Sequence, residues 1–592
     1  MSDRSSEPTA LDQSALDGRI AFVTAAFIIG YGLLALLDRA GAPERLVGAT
    51  APYFTLAALA MLGFLLHSMR VSLYYTAGRS VPAEYAGFAG AAIIVGLALP
   101  FAARFAGRSW LIGLCGGLLL GAAGAALYFG PLLRKTGAFS LAGLLAARFP
   151  GFGPRVAVIV VGGFASALVA LAGHQTAVDA LVHLTGAGRV FAAFIVGVAI
   201  LLIAGPGGLF GVIWAAAAAG GVALAGLAWP LLGLAWGKGL PLTIFGNGDG
   251  WRAVGETLRS WPVLPPSSGL AADGAVLVAV AAGVVTLAPI LAPAVTTRSV
   301  GSARRAGFAA CVWTLLLVLL VAMTVGASAL AFSRSTVGQA PERLPDAVYA
   351  ASARGLVRIC GQKLASPAVA RRLCAENGLP AGEPLRPGDV TVVAADFLLA
   401  GLPELEGLGA SRSGLLASAL IALGLVLAAS GLQAAATAVG HEALYRMRGE
   451  TDLTSRRLAI TRITLVGITA VGSASSAAAL FDARALAMLA IALSAATVAP
   501  LLALAFWPRA GDRDAFVALC AGLAGLAVAL LVGGAARSID GVALAAFAGA
   551  ASALAGATLS ALRSPPDYAP GAAFVARALR GDGQLLEPDK GA

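Results

Sequence analysis

Charge is scarce in this 592-residue chain: Asp, Glu, Lys and Arg make up 12% of it, while 59% is hydrophobic. A soluble helix needs a polar stripe to face water, and most of the long apolar stretches here have none. That excludes a large soluble protein built on buried helices. No zinc-ligand spacing, phosphate-binding glycine loop or nuclease-like carboxylate cluster occurs in the sequence, so no metal site or other cofactor is expected. No activating base sits near any candidate nucleophile, which speaks against an enzyme. Cysteine is rare, with five in the chain. Cys115, Cys311 and Cys520 fall in apolar stretches and read as small packed hydrophobes.

Apolar length is what the chain has in abundance. A bilayer-spanning helix takes about 20 mostly apolar residues, and about fourteen such stretches follow one another. In lipid every backbone polar group must be paired within the segment, so these stretches can only be helices. They lie near 19–38, 50–68, 84–104, 109–133, 154–184, 187–204, 207–236, 273–297, 306–333, 413–445, 458–477, 482–507, 515–534 and 541–562. The first has an acidic flank (Asp3, Glu7, Asp12, Asp17) where a signal peptide is basic, so it reads as an uncleaved helix. The expected class is an all-α polytopic membrane protein.

Orientation follows from Lys and Arg in the short loops. One set of loops holds Arg70, Arg79, Arg134, Lys135, Arg148, Arg155, Arg298, Arg304 and Arg305, then Arg446, Arg448, Arg456, Arg457, Arg509 and Arg513. That set is expected in the cytoplasm of a plasma (inner) membrane, together with both termini. Arg104 and Arg108 are minor exceptions on the outer side. The net charge of +11 is explained by this bias and calls for no nucleic-acid partner. The two longest connections, 237–272 and 334–412, face outward. The second carries Cys360 and Cys374, an extracytoplasmic pair that can form a disulfide, although sequence does not bring the two sulfurs into reach. It also has helix-like pieces such as 367–376 and reads as a folded cap or a linker.

Transporters often carry inverted repeats with the site at paired broken helices. Skipping the first two helices, the next ten divide into five and five. The first helix of one half (84–104) holds Gly87, Gly90, Gly96 and Pro100; its counterpart (273–297) holds Gly283, Pro289 and Pro293. Proline removes a backbone donor, and the freed groups can coordinate an ion or carboxylate. The division is a tail 1–18, peripheral helices and loop 19–83, repeats 84–236 and 273–507, two closing helices 508–563 and a tail 564–592.

Several segments then resemble the sodium:solute symporters, and their acetate-permease branch in particular. Tyr74-Tyr75-Thr76-Ala77-Gly78-Arg79-Ser80-Val81-Pro82 resembles the family's "YY-x-AGR-x-(V/I)-P". Leu133 to Ser140 with Ala147-Arg148-Phe149-Pro150 is similar to "LR-x-x-G-x-(Y/F)-(T/S)…RFP". Gly207 to Trp214 resembles "GG-x-x-G-V-x-W", and Thr437 to Glu442 resembles "S-A-(L/V)-x-H-D". Arg298 to Arg305, Ala490 to Trp507 and Phe574-Val575-Ala576-Arg577 match further segments in the same order. The resemblance implies a leucine-transporter-like fold of two inverted five-helix repeats, alternating access, and sodium- or proton-coupled symport of a small organic solute such as acetate. The sequence also departs from the pattern. Gly90 to Ala98 has no polar side chain, the histidine of the family's "L-P-H" is replaced in Leu287-Ala288-Pro289-Ile290, and Val426, Leu427 or Ala428 stands where many members place a sodium-binding Ser/Thr pair.

Polar groups inside the apolar stretches mark candidate sites. Ser430, Gln433 and Thr437 share one helical face, which either lines a cavity or holds helices together. Thr286, Ser494 and Thr497 are further candidates, with the backbone around Gly96, Pro100, Pro289 and Pro293 completing a substrate and ion site. His174, Asp179 and His183, with Gln175 and Thr176, read either as a proton relay or gate, or as a stretch at the outer surface satisfied by water. His441 and Glu442 cap or anchor a cytoplasmic helix end. Membrane lipid and a small membrane partner subunit are the other expected partners. The alternative to a transporter is a transporter-like protein that has lost transport and serves as a sensor or partner subunit, motivated by the depleted polar positions.

Overall fold

The computed structural model describes residues 10–106, 111–238, 270–380, 383–386, 388–393, 395–448, 453–532, 538–565 and 568–579. Most of the expected outer loop 237–272, much of both tails and Arg108 lie outside the described residues, as does the side chain of Arg104.

All fourteen expected spans are helices. They are α1 (Ala10–Arg39), α2 (Glu44–Leu65), α3 (Ala83–Ala98), α4 (Gly113–Thr136), α5 (Phe152–Thr185), α6 (Arg189–Ala204) and α7 (Leu209–Lys238). Then follow α8 (Leu270–Thr286 and Ala288–Val295), α9 (Val300–Thr336), α10 (Ala410–Tyr445), α11 (Thr454–Ala477), α12 (Ala483–Ala505), α13 (Asp512–Val532) and α14 (Ile539–Ala561). Twelve are long and apolar enough to cross a bilayer alone; α8 does so as a bent pair, and α6 is short at 16 residues.

The amount of each helix that is covered places it in the bundle. In α10, 94% of the apolar window is buried, against 11% in α1. Helix α10 is therefore the axis and α1 a peripheral strut. Small residues allow the axis to be wrapped closely. A Cβ on Gly173 would lie 2.5 Å from the Ala428 nitrogen, and one on Gly431 would lie 2.6 Å from that of Ala170. Glycine is what lets the α5 and α10 backbones touch, the usual route to tight contact in lipid where the hydrophobic effect gives no drive.

The two repeats differ at their first helices. Helix α8 bends by 45° at Leu287. Pro289 has no N–H to bond the Val285 carbonyl and Pro293 none to bond that of Pro289, so the helix cannot run through. In α3 the expected break at Gly96 is not seen. The chain stays α-helical through Ala98 and tightens to a 3₁₀ turn over Leu99–Ala106, around Pro100. Gly96 serves close packing instead: a Cβ there would lie 2.7 Å from the Leu423 carbonyl oxygen of α10.

The connection between α9 and α10 is folded. Strands β1 (Val357–Ile359) and β2 (Val390–Val392) pair antiparallel, with Val357 opposite Val392. A helix over Asp346–Ala353 and another over Pro367–Glu376 flank them, and Cys360 and Cys374 are joined by a disulfide. Arg354 ties this cap to the bundle by donating to the His183 carbonyl at 3.1 Å. The cap defines one side of the bundle; the loops holding Tyr75 and Ser140 define the far side.

Candidate substrate and ion site

The bend in α8 organises the site. The Pro289 carbonyl, deprived of its helical donor by Pro293, accepts instead from the Ser430 hydroxyl of α10 at 3.3 Å. One turn earlier, the Thr286 and Ser494 hydroxyls meet at 2.8 Å, linking α8 to α12. Both border a cavity of about 30 Å³ that also touches Ser140, Gly162, Ser166 and Ala438. A second cavity of about 40 Å³ runs beside Tyr75, Phe139, Ser430, Gln433 and Thr437. Each has room for a water or two and no more.

The expected face of α10 is thus brought to the site. Gln433, 2% exposed, donates from Nε2 to the Tyr74 carbonyl at 3.3 Å. Its Oε1 has no hydrogen-bond partner among the described residues. A buried carbonyl without a donor is costly, and a solute or ion in the neighbouring cavity would relieve it. Thr437 bonds back to the Gln433 carbonyl at 2.7 Å and borders the same cavity. Thr497 lies at the kink inside α12, bonds back to the Leu493 carbonyl and borders neither cavity. Gly96 packs against α10, and Pro100 borders a different cavity on the cap side.

That cap-side cavity, about 320 Å³, is polar. Gln175, Asp179, His183, Arg189 and Asp482 border it. Asp179 accepts from Gln175 at 2.9 Å and from Arg189 at 2.7 Å. His174 does not join this group. It is 2% exposed and turned toward α11, where Ser476 lies 3.0 Å from Nδ1 and Ser473 lies 3.3 Å from Nε2. The group read from sequence either as a relay or as an outer stretch satisfied by water is divided: Asp179 and His183 border the cap-side cavity, and His174 belongs to the α5–α11 contact.

Sequence reasoning missed how the far side is closed. The last turns of α10, Ala438–Tyr445, are wound as a π-helix, a form concentrated at functional sites. They carry Glu442, fully buried, whose Oε1 accepts from the Ser140 hydroxyl at 2.7 Å. Arg446 lies 3.9 Å from the other oxygen. His441 stacks on Phe139 at 4.6 Å and accepts a hydrogen bond from Arg457. The Arg457 guanidinium sits over the Tyr75 ring at 4.5 Å and over Tyr445 at 4.1 Å. Tyr75 in turn meets the Thr461 hydroxyl at 2.7 Å. Burial pushes the Tyr74 and Tyr75 phenols up, so both act as neutral hydroxyls. These contacts bind the segment before α3, the loop after α4, and α10 and α11 into one plug. The available signal was the strongly polar Glu442 next to an otherwise apolar helix.

No protein-family model matches the sequence. Among curated proteins, an uncharacterized symporter of Cupriavidus necator is 30% identical over an alignment of 148 positions, covering 23% of this chain. The chain spans about a fifth of the length of that relative, 21%. Among solved structures, a Na+-coupled sialic acid symporter in a substrate-bound, outward-open state superposes with a TM-score of 0.65 at 17% identity, covering 87% of this chain and 97% of that one. Mhp1, a nucleobase-cation-symport-1 family transporter in a closed conformation, superposes at 0.43 with 15% identity, covering 86% and 100%. The chain is a multi-pass membrane protein with the leucine-transporter-like fold that the sialic acid symporter shares.

Proposed function

We propose that the protein is a cation-coupled symporter that moves a small organic solute by alternating access. The observation that carries this reading is the bend of α8 set against the polar face of α10. There the freed Pro289 carbonyl, Ser430, Gln433, Thr286 and Ser494 converge beside two small cavities. The curated relative is a symporter and the fold-mate is Na+-coupled, so sodium leads as the coupling ion, with a proton as the alternative. A hard cation seeks oxygen ligands, and the paired Thr286 and Ser494 hydroxyls supply them at the bend. The positions Val426, Leu427 and Ala428 are buried and apolar, so an ion is not held there by side chains. The solute is small. A short monocarboxylate such as acetate is the first to test, on the strength of the resemblance in the loops.

The loops rich in Lys and Arg put the far side, with its Ser140–Glu442 plug, and both termini in the cytoplasm. The cap then lies outside, where its disulfide is stable. Coupling requires that ion and solute favour the same state of the bundle, and the plug is the contact that must open for release. The apolar stretch Gly90–Ala98 favours a second reading, a protein of this fold that no longer transports and acts as a sensor or partner subunit. Gradient-driven uptake by the parent separates the two, and Gln433→Leu tests the site. It abolishes gradient-driven uptake if α10 lines the path, and uptake unchanged by it refutes the assignment.

A further inference from the structure

We infer that the groove beneath α1 holds one phospholipid of the cytoplasmic leaflet. Helix α1 is the least covered of the long helices, with 11% of its apolar window buried. It stands off the bundle over a cavity of about 460 Å³ bordered by Val23, Phe27, Leu62, Phe88, Ala218 and Gly221. Between its ends this surface is apolar except for Thr24, Tyr85 and Trp214, and in a bilayer a space of that kind is filled by hydrocarbon.

Three features select a lipid chain over a protein helix. The first is depth. Arg19 stands at one end and Tyr31 at the other, a separation of about 18 Å along a helix, close to one half of the roughly 30 Å bilayer core. The second is closure at the far end. The Tyr31 hydroxyl is bonded to Thr55, and Phe54 packs edge-on against Phe27 at 5.8 Å and Tyr31 at 5.5 Å. This aromatic plug stops the groove about where a single acyl chain ends. A transmembrane partner helix would have to continue through it.

The third feature is the polar mouth. Arg19 is exposed and reaches the Leu65 carbonyl at the end of α2, at 3.4 Å. Long basic side chains at this level place their charge at the headgroups, where a lipid phosphate is the natural counter-ion. One level deeper, Trp214 borders the groove. It is 5% exposed, and its Nε1 has no hydrogen-bond partner among the described residues. Tryptophan is at home at the membrane interface, and an acyl ester carbonyl supplies the acceptor that Nε1 lacks. Phosphate on Arg19, ester on Trp214 and chain along α1 toward Tyr31 describe one glycerophospholipid.

The test uses the full chain in detergent, with native mass spectrometry reading the lipid retained after delipidation and addition of phosphatidylglycerol. A Cβ on Gly221 would meet nothing within 4 Å, and Gly221 borders the groove, so Gly221→Phe brings a ring into it from an open position. Gly467, on α11 outside the groove, is equally open, and Gly467→Phe is the control. The expected result is one tightly held lipid per chain in the parent and in Gly467→Phe. Its occupancy falls about tenfold or more in Gly221→Phe, and about tenfold in Arg19→Gln as the charged contact is lost. Equal retention in both glycine variants, equal loss in both, no retained lipid in the parent, or a retained polypeptide mass would each overturn the proposal. A melting curve on every variant separates lost lipid from lost fold.

Discussion

Replacing Glu442 with Gln rules out a carboxylate at the end of α10 while keeping the shape of the side chain. In the closed plug the Ser140 hydroxyl donates to Glu442 at 2.7 Å, in a fully buried setting. A hydrogen bond to a charged group contributes about 1.5–3 kcal/mol and a neutral one about 0.5–1.5 kcal/mol. With Glu442 a carboxylate in the closed plug, Glu442→Gln weakens that state by about 1–1.5 kcal/mol, which makes opening of the far side roughly five- to tenfold more populated. The contact to Arg446 adds little, because that side chain is 32% exposed and 3.9 Å away. The assay is the alkylation rate of a cysteine at position 434, since Ala434 borders both small cavities. It is made in a background with Cys115, Cys311 and Cys520 replaced, because these are the free cysteines among the described residues. A membrane-impermeant reagent applied to the cytoplasmic side should react about five to ten times faster in Glu442→Gln. A rate unchanged from the parent refutes the idea that this bond holds the plug shut.

Further outcomes follow from the same geometry. Thr286→Ala and Ser494→Ala should be strongly non-additive in uptake, because the two hydroxyls are partners at 2.8 Å; a double-mutant cycle with zero coupling contradicts the shared site. Gly283→Leu should lower the melting temperature sharply, since even a Cβ there would lie 2.3 Å from the Ile491 carbonyl oxygen, and overpacking of this kind costs about 1–3 kcal/mol or more. Cys360→Ser should destabilise the cap by about 3 kcal/mol, the value for a closed loop of this length. Limited proteolysis within 334–409 reads the loss, with the bundle left intact, and no added cleavage argues against the cap depending on the bond.

The sequence made the fourteen helices legible because lipid leaves an apolar stretch only one structure. Helix α8 was legible too, since Pro289 and Pro293 act on the backbone wherever they stand. Gly96 was not. A glycine in a membrane helix signals a break and a close contact equally well, and only the position of Leu423 decides between them. The face of Ser430, Gln433 and Thr437 could be drawn from helical spacing, but its partners could not. Pro289 lies 141 positions from Ser430, and Tyr74 lies 359 from Gln433. The plug was hidden for the same reason, with Ser140 and Glu442 separated by 302 positions. His174 and Asp179 are close in sequence yet turn to different neighbours, α11 and Arg189, so proximity along the chain misled there. Cys360 and Cys374 were visible as a pair, but their bond depends on the turn after β1 and the helix at 367–376.

The decisive measurement is uptake by purified protein in liposomes, offered radiolabelled acetate, pyruvate and sialic acid under an imposed sodium gradient, a proton gradient or neither. Symport predicts accumulation of at least one solute above equilibrium when the sodium gradient is present, and its loss in Gln433→Leu. Folded, correctly oriented protein that accumulates none of them under any gradient would contradict transport and favour the sensor or partner-subunit reading.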